Sequence, residues 1–320
     1  MPFSPAWARA AVLPRRPLRH AGPMRAAGVV VRPMRPEDLP AVVAVRNEGF
    51  LDLDRRTLPR SAPEPRPADD ADSQRWTART AFVLETDPRG CWVAEDDRAI
   101  LGFATSTVRE LTWLLHTYVV LPGVQGSGVG RALLEAALAH GEGCLRGMLS
   151  ASLDPAAARR YRLAGFSLHP QMTLSGTLDR SLLPVVEKVR EGSAGDIDLL
   201  DSIDRRLRGS AHGRDHEWLL QNARLVVSDT STGSGYAYLH PDGGAQLLAA
   251  TNRRTATRLL WESLAAAPHG ASLTQAHVTA ANEWAIDVGI AARLALAPAG
   301  YLALRGMRPP APYLHHGVFG

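Results

Sequence analysis

Lysine is nearly missing from this chain. Of its 36 basic residues only Lys188 is lysine, and the rest are arginine. With so much alanine and glycine, this reads as the bias of a GC-rich bacterial genome. Cysteine is scarce as well. Cys91 and Cys144 alone build no disulfide framework and no zinc cluster, and they suit a reducing cytoplasm. No apolar run approaches the ~18 residues of a membrane helix, so the expectation is a cytoplasmic protein with no membrane partner. Gly-Lys does not occur, which excludes the phosphate loop GxxxxGK[ST].

An uneven charge on the folded part is also lacking. The net charge is +4, but residues 1–28 carry five arginines (9, 15, 16, 19 and 25) and no acid. The 18 basic and 19 acidic residues of 29–180 nearly cancel, and 181–320 holds 13 of each. A nucleic-acid binder should carry its basic stripe on a folded face, so no nucleic-acid partner is expected. The Arg-, Pro- and Ala-rich stretch 1–28 has no periodicity. It is expected to be a disordered extension, or a start placed too early with Met24 as the true first residue.

What remains is enough for two domains. "VVVRPMR" reads as a strand, and "PEDLPAVVAVRNEGF" as a helix ending near Phe50. A polar loop follows from Leu51 to Arg75, then a short helix from about Trp76 to Glu85. Two β-type runs around "DDR" form a hairpin, "TWLLHTYVVL" is a further strand, and a helix runs from Gly130 to about Glu142. Strand, helix and strand complete a βα(α)βββαβαβ order. Residues 181–320 repeat that order weakly, which points to duplicated domains with a boundary near Leu182–Val185.

Between the strand and the helix lies "LPGVQGSGVGRALL". Glycines ahead of a helix N-terminus let backbone N–H groups close around a phosphate. A dinucleotide fold would need GxGxxG in a parallel βαβ unit. Gly126-Ser127-Gly128-Val129-Gly130 is GxGxG, and the hairpin upstream implies an antiparallel sheet.

"VLPGVQGSGVGRALL" resembles instead the acetyl-CoA loop of the GNAT superfamily of N-acetyltransferases, with Val120, Pro122, Gln125, Gly128 and Gly130 in place. A second family motif, Asn-x-x-Ala-x-x-x-Tyr-x-x-x-Gly-Phe, is matched by Asp154, Ala157, Tyr161, Gly165 and Phe166. It departs only at Asp for Asn, which caps a helix equally well.

The resemblance implies an α/β (α+β) fold of two tandem GNAT-like domains, 29–180 and 181–320, each a mixed, mostly antiparallel twisted sheet flanked by helices. It also implies a gap between Trp113–Leu121 and Leu145–Leu153 that takes acetyl-CoA. The pantetheine arm would meet Tyr118, Val119 and Val120. The pyrophosphate would meet the amides of Gln125, Gly126, Ser127, Gly128, Val129, Gly130 and Arg131, with Asp154 and Tyr161 nearby. Tyr161 is expected to act as general acid toward the thiolate. Glu110 and His116 are candidate bases, with His116 pointing to the same face as Leu114 and Tyr118.

The expected reaction is acetyl transfer to a small-molecule or peptide amine. A sensor or scaffold that only holds acetyl-CoA is the alternative, and Tyr161 favours the enzyme. The acids Asp52, Asp54, Glu64, Asp69, Asp70 and Asp72 are expected to be solvated loop residues rather than an attractor for a cationic amine.

The second copy has no glycine in "TNRRTATR". It keeps Asn282 and Ala285 but has Gly289 where the tyrosine should stand. It is therefore expected to lack the cofactor and to complete the cleft or an oligomer contact, a homodimer being the candidate assembly. "PPAPYLHHGVFG" is expected to be a surface tail, and His315-His316 lacks the further ligands of a metal site. Mycothiol synthase, a tandem acetyltransferase of similar length, would call for its intact motif in the C-terminal half, and here the intact motif lies in the N-terminal half.

Overall fold

The computed structural model describes residues 25–26, 28–59 and 62–320. The first half runs β1 (Arg25–Ala26), β2 (Val29–Pro33), α1 (Leu39–Thr57), α2 (Asp70–Thr86), β3 (Cys91–Glu95), β4 (Ile100–Arg109), β5 (Thr112–Val120), α3 (Val129–His140), β6 (Arg146–Ala151), α4 (Pro155–Leu163) and β7 (Ser167–Thr177). The second half runs β8 (Arg190–Glu191), α5 (Ile197–Arg208), α6 (Asp215–Asn222), β9 (Arg224–Thr230), β10 (Gly233–Leu239), β11 (Ala245–Ala250), α7 (Arg253–Ala265), β12 (Ser272–Thr279), α8 (Glu283–Ala291), β13 (Ala295–Arg305) and β14 (Tyr313–Leu314). Among the described residues no helix is long and apolar enough to cross a membrane.

The element order of the first half is the one the sequence predicts, with three shifts. Helix α1 runs on to Thr57, because nothing between Phe50 and Pro59 breaks it and Arg56 pairs with Asp52 one turn earlier at 2.7 Å. Helix α2 begins at Asp70, since Asp69 accepts the amide hydrogen of Asp72 as a cap. The expected tail 1–28 lies mostly outside the described residues, but Arg25–Ala26 pair with β2.

The larger difference is in the sheets. One has nine strands in the order β1-β2-β3-β4-β5-β6-β13-β7-β12, and the other has five, β14-β11-β10-β9-β8. Among the described residues every pairing is antiparallel except that of β5 with β6. Strand β13 of the second half lies between β6 and β7, and β7 of the first lies between β13 and β12. The halves thus exchange a strand each, and the boundary at 180/181 does not separate two sheets. Sequence periodicity marks each strand but not its neighbour, which is why this was not legible.

The nine-stranded sheet has an apolar layer on each face. Leu114 and Val119 of β5 join the core containing Val42 of α1 and Trp76 and Val83 of α2. Trp113 and Leu115 join the core under α3, with Leu133 and Ala137. The C-terminal segment is not a surface tail. Tyr313, His315 and Phe319 are buried, and β14 pairs along Leu248–Ala249 of β11.

Candidate functional site

Strands β5 and β6 pair only from Thr112 to Leu115, against Arg146 to Leu149. Beyond that they part, and the opening leads into a cleft open to solvent. Its floor is β5 from Leu115 to Val120 and β6 at Ser150–Ala151. Its sides are α1, the loop after β5 and the start of α4. On the β4 side β5 stays paired to Val120, and Leu121 donates to Leu101. Alternation then turns the peptide groups of Tyr118 and Val120 toward the gap.

His116 is an extra residue in this strand. Thr105 pairs with Thr117 and Ser106 with Leu115, so His116 has no partner in β4. Such a bulge resets the alternation of side chains. The expectation that Leu114, His116 and Tyr118 share a face is therefore corrected. His116 stays on the α1–α2 face, ring to ring with Phe319 at 5.4 Å, while Tyr118 packs on the α3 face with Trp113 and Leu115.

The three loop glycines do different work. Gly126 and Gly128 have φ of 86° and 97°, in the left-handed region, with no atom within 4 Å of where a side chain would begin. A methyl at Gly130 would instead run into the Tyr118 hydroxyl. Gly128 caps α3 without any side-chain bond. The amides of Gly126, Gly128, Val129, Gly130 and Arg131 donate to no acceptor among the described residues, while those of Gln125 and Ser127 donate back to Pro122 and Val124 at 3.3 and 3.4 Å. This is narrower than the expected wrap from Gln125 to Arg131. The side chains also divide. Gln125 bonds the Val120 carbonyl at 3.1 Å, Ser127 bonds Val124 at 2.7 Å, Val129 is buried at the start of α3, and Arg131 pairs with Glu135.

The corresponding turn of the second half is closed. Asn252 caps α7 by accepting from Thr255, and the free edge of β11 is taken by β14. Asn282, at the place of Asp154, holds the C-terminal segment by bonding the Pro310 carbonyl and the Tyr313 amide. At the place of Tyr161, Gly289 makes room for Leu174 of the exchanged strand β7.

In the first half, Asp154 caps α4 as expected, accepting from Ala156 at 2.8 Å. Tyr161 follows two turns later, buried, with its ring 6.3 Å from that of Tyr118. Its hydroxyl has no hydrogen-bond partner among the described residues. Burial raises both phenols, Tyr118 to about 12 and Tyr161 further, so both are protonated at neutral pH.

His116 moves the other way. Burial, with Arg109 and Arg79 nearby, holds its pKa well below 6.5, so the ring is neutral at pH 7. Its Nε2 is 2.9 Å from the Thr107 hydroxyl, and its Nδ1 is buried without a partner.

Glu110 does not belong to the cleft. It stands in the β4–β5 turn at φ 52°, pairs with Arg205 at 2.8 Å and accepts the Ala211 amide, so it ties the halves together. Three of the acids of 51–75 are likewise engaged, Asp52 on Arg56, Asp69 capping α2 and Asp72 on Arg75.

Other cleft residues were not foreseen: Phe50, Leu53 and Arg56 from α1, Ser150 and Ser152 from β6 and its loop, and Arg160 from α4. The spacing 49/50, 53 and 56 on one helix face was their only signal. His277 was also missed. It reaches Ser150 at 3.5 Å from the second half and stacks on His315 at 4.5 Å.

One further cluster, Asp204, His212 and His216, lies buried behind the C-terminal segment. Arg208 contacts Nε2 of His212 at 2.5 Å, which makes that nitrogen an acceptor and gives the proton to Nδ1, 2.6 Å from Asp204. The cluster reads as a hydrogen-bonded network rather than a ligand set.

Residues 48–166 match the family model described as the Acetyltransferase (GNAT) family. The mycothiol acetyltransferase of Streptomyces griseus is 32% identical over 159 residues, 48% of each protein. The chain thus spans about half the length of the curated relatives it matches. A putative acetyltransferase from Pyrococcus horikoshii superposes with a TM-score of 0.70 at 16% identity, covering 94% of this chain and 98% of that one. A GCN5-related N-acetyltransferase from Kribbella flavida gives 0.55 at 15% identity, over 86% and 70%. These solved structures share the fold.

Proposed function

We propose, from the match of residues 48–166 to the acetyltransferase (GNAT) family model, that the chain is an N-acetyltransferase with a single acetyl-CoA site in its first half. The observation that carries this is the set of partnerless amides at Gly126 and Gly128–Arg131, set at a helix N-terminus beside the β5–β6 gap. Backbone donors and the positive end of a helix suit a pyrophosphate. The second half, with a side-chain cap in place of the loop and β14 in place of the gap, is a copy that has lost its cofactor site.

Acetyl-CoA supplies an acetyl group already activated as a thioester, which an amine receives in a ternary complex. The chain's own groups do the rest. The peptide N–H of β5 facing the gap, at Tyr118 or Val120, polarises the thioester carbonyl. Tyr161 holds a proton at its hydroxyl for the departing thiolate. His116, neutral and on the opposite face of the sheet, takes the proton the amine loses, carried over water. The unbonded Tyr161 hydroxyl favours an enzyme over a sensor, which would have no use for it.

Thiol release from acetyl-CoA against a panel of polyamines, amino sugars and peptides tests the proposal. Release that depends on one class of amine supports it. Tight acetyl-CoA binding with no release beyond background for any amine would leave a sensor.

A further inference from the structure

The face of α1 that lines the cleft at Gly49/Phe50, Leu53 and Arg56 continues one turn back to Arg46, by helical spacing. Its guanidinium lies 5.6 Å over the Phe50 ring and 5.8 Å over the Trp76 ring. Its Nε is buried without a hydrogen-bond partner, and its one side-chain bond runs to the neutral Asn47. Arg79 stands one turn after Trp76 on α2 and one turn before Phe82, whose ring packs on Phe319 at 6.4 Å. Phe319 in turn packs on His116. Arg79 is half-buried and forms no ion pair or hydrogen bond among the described residues.

Two guanidinium groups thus lie near each other, Arg79 close enough to act on His116, with no carboxylate bonded to either. Arg32 and Arg109, by contrast, are matched to carboxylates: Arg32 to Asp38 and Glu95, Arg109 to Asp87 and Asp215. The acid nearest Arg46, Asp72, is bonded to Arg75. Burial and the charge of Arg46 push Arg79 down to about 10, and burial also lowers Arg46. Each cation therefore lacks the counter-charge that burial of such a group calls for. The cofactor's phosphates lie on the opposite, α3 side of the sheet in the reading above, so they do not supply it.

We infer that Arg46 and Arg79 form the acceptor subsite, and that the amine substrate carries an anionic group, a carboxylate or a phosphate, held there while its amino group lies near His116. A planar guanidinium recognises either group through paired N–H donors. The inference rests on the acetyl-transfer reading, since it names the substrate class of the same site.

The test uses the full chain saturated with CoA, which fills the loop and leaves the arginines as the remaining anion site. Calorimetry with O-phosphoethanolamine and with isoglutamine, against ethanolamine and glutaminamide, reads the charge requirement and tells phosphate from side-chain carboxylate. At least one anionic probe should bind at least tenfold tighter than its neutral partner. Arg46→Met and Arg79→Met should erase that preference, Arg46→Lys and Arg79→Lys should restore part of it, and CoA affinity should stay at the wild-type value. Equal binding of charged and neutral probes, no binding of either anion, or an unchanged preference in both Met variants would each overturn the inference. Failure of the acetyl-transfer reading looks different: CoA would not bind, or no amine would release thiol, whatever the arginine variants do.

Discussion

Replacing Tyr161 by Phe separates chemistry from structure in this site. The substitution removes one oxygen and keeps the ring. That oxygen makes no hydrogen bond within the described chain, and the contact with Tyr118 is between rings 6.3 Å apart. No buried partner is stranded, so the stability change should stay within about 0.5 kcal/mol. The amides of the loop are untouched, and acetyl-CoA affinity should be unchanged. The rate is another matter. A placed general acid contributes roughly 10²–10⁴, so turnover should fall about 100-fold, or about 2.7 kcal/mol of barrier. The phenol is held above its usual pKa by burial. Stopped-flow thiol release under single-turnover conditions, with melting and calorimetry on the same samples, reads all three quantities. Wild-type single-turnover rates in Tyr161→Phe would refute the assignment and leave water as the acid.

Three further outcomes follow from the geometry. Gly130→Ala forces the Tyr118 hydroxyl aside and should cost about 1–3 kcal/mol of stability, whereas Gly126→Ala meets no atom and should cost only its left-handed backbone, about 1 kcal/mol; urea unfolding of the pair checks the order. Asn282→Ala should cost about 3 kcal/mol or more, because it leaves the Tyr313 amide and the Trp284 indole N–H buried without an acceptor, and melting would reveal it. Stability should peak near pH 6.5 and fall on both sides. His277, held near 4 by burial, is neutral when folded, so the unfolded chain takes up the extra proton and stability is lost as pH falls below 6.5; His216, raised to about 9 between Asp201 and Asp204, gives stability that is lost as pH rises through 9. His277→Asn should flatten the acid limb of a melting-temperature profile, and an unchanged acid limb would contradict this.

The chain reveals its elements better than their assembly. Two glycines with open space, a helix cap at Asp154 and a tyrosine two turns later are local features, and local sequence carries them. The split of β5 from β6 followed from the resemblance and is present. What escaped depends on distant residues. The exchange of β7 and β13 pairs Ser167 with Leu304, and nothing in either strand's alternation names its partner. The bulge at His116 adds one residue to a strand whose composition gives no sign of it, and every side chain beyond it changes face. Glu110 looked like a base because it lies near β5 in sequence, yet the turn carries it out to Arg205. The C-terminal segment, rich in proline and glycine, reads as a tail until Asn282 and the edge of β11 take hold of it.

The central claim is that the cofactor binds once per chain, at the loop of the first half. Calorimetry of acetyl-CoA into the intact protein tests it most directly, with Gly128→Glu as the paired variant. A carboxylate there would stand in the open space beside the free amides and repel a pyrophosphate. The account predicts one site per chain in the wild type and none in Gly128→Glu. Two sites per chain, or undiminished binding in the variant, would contradict it.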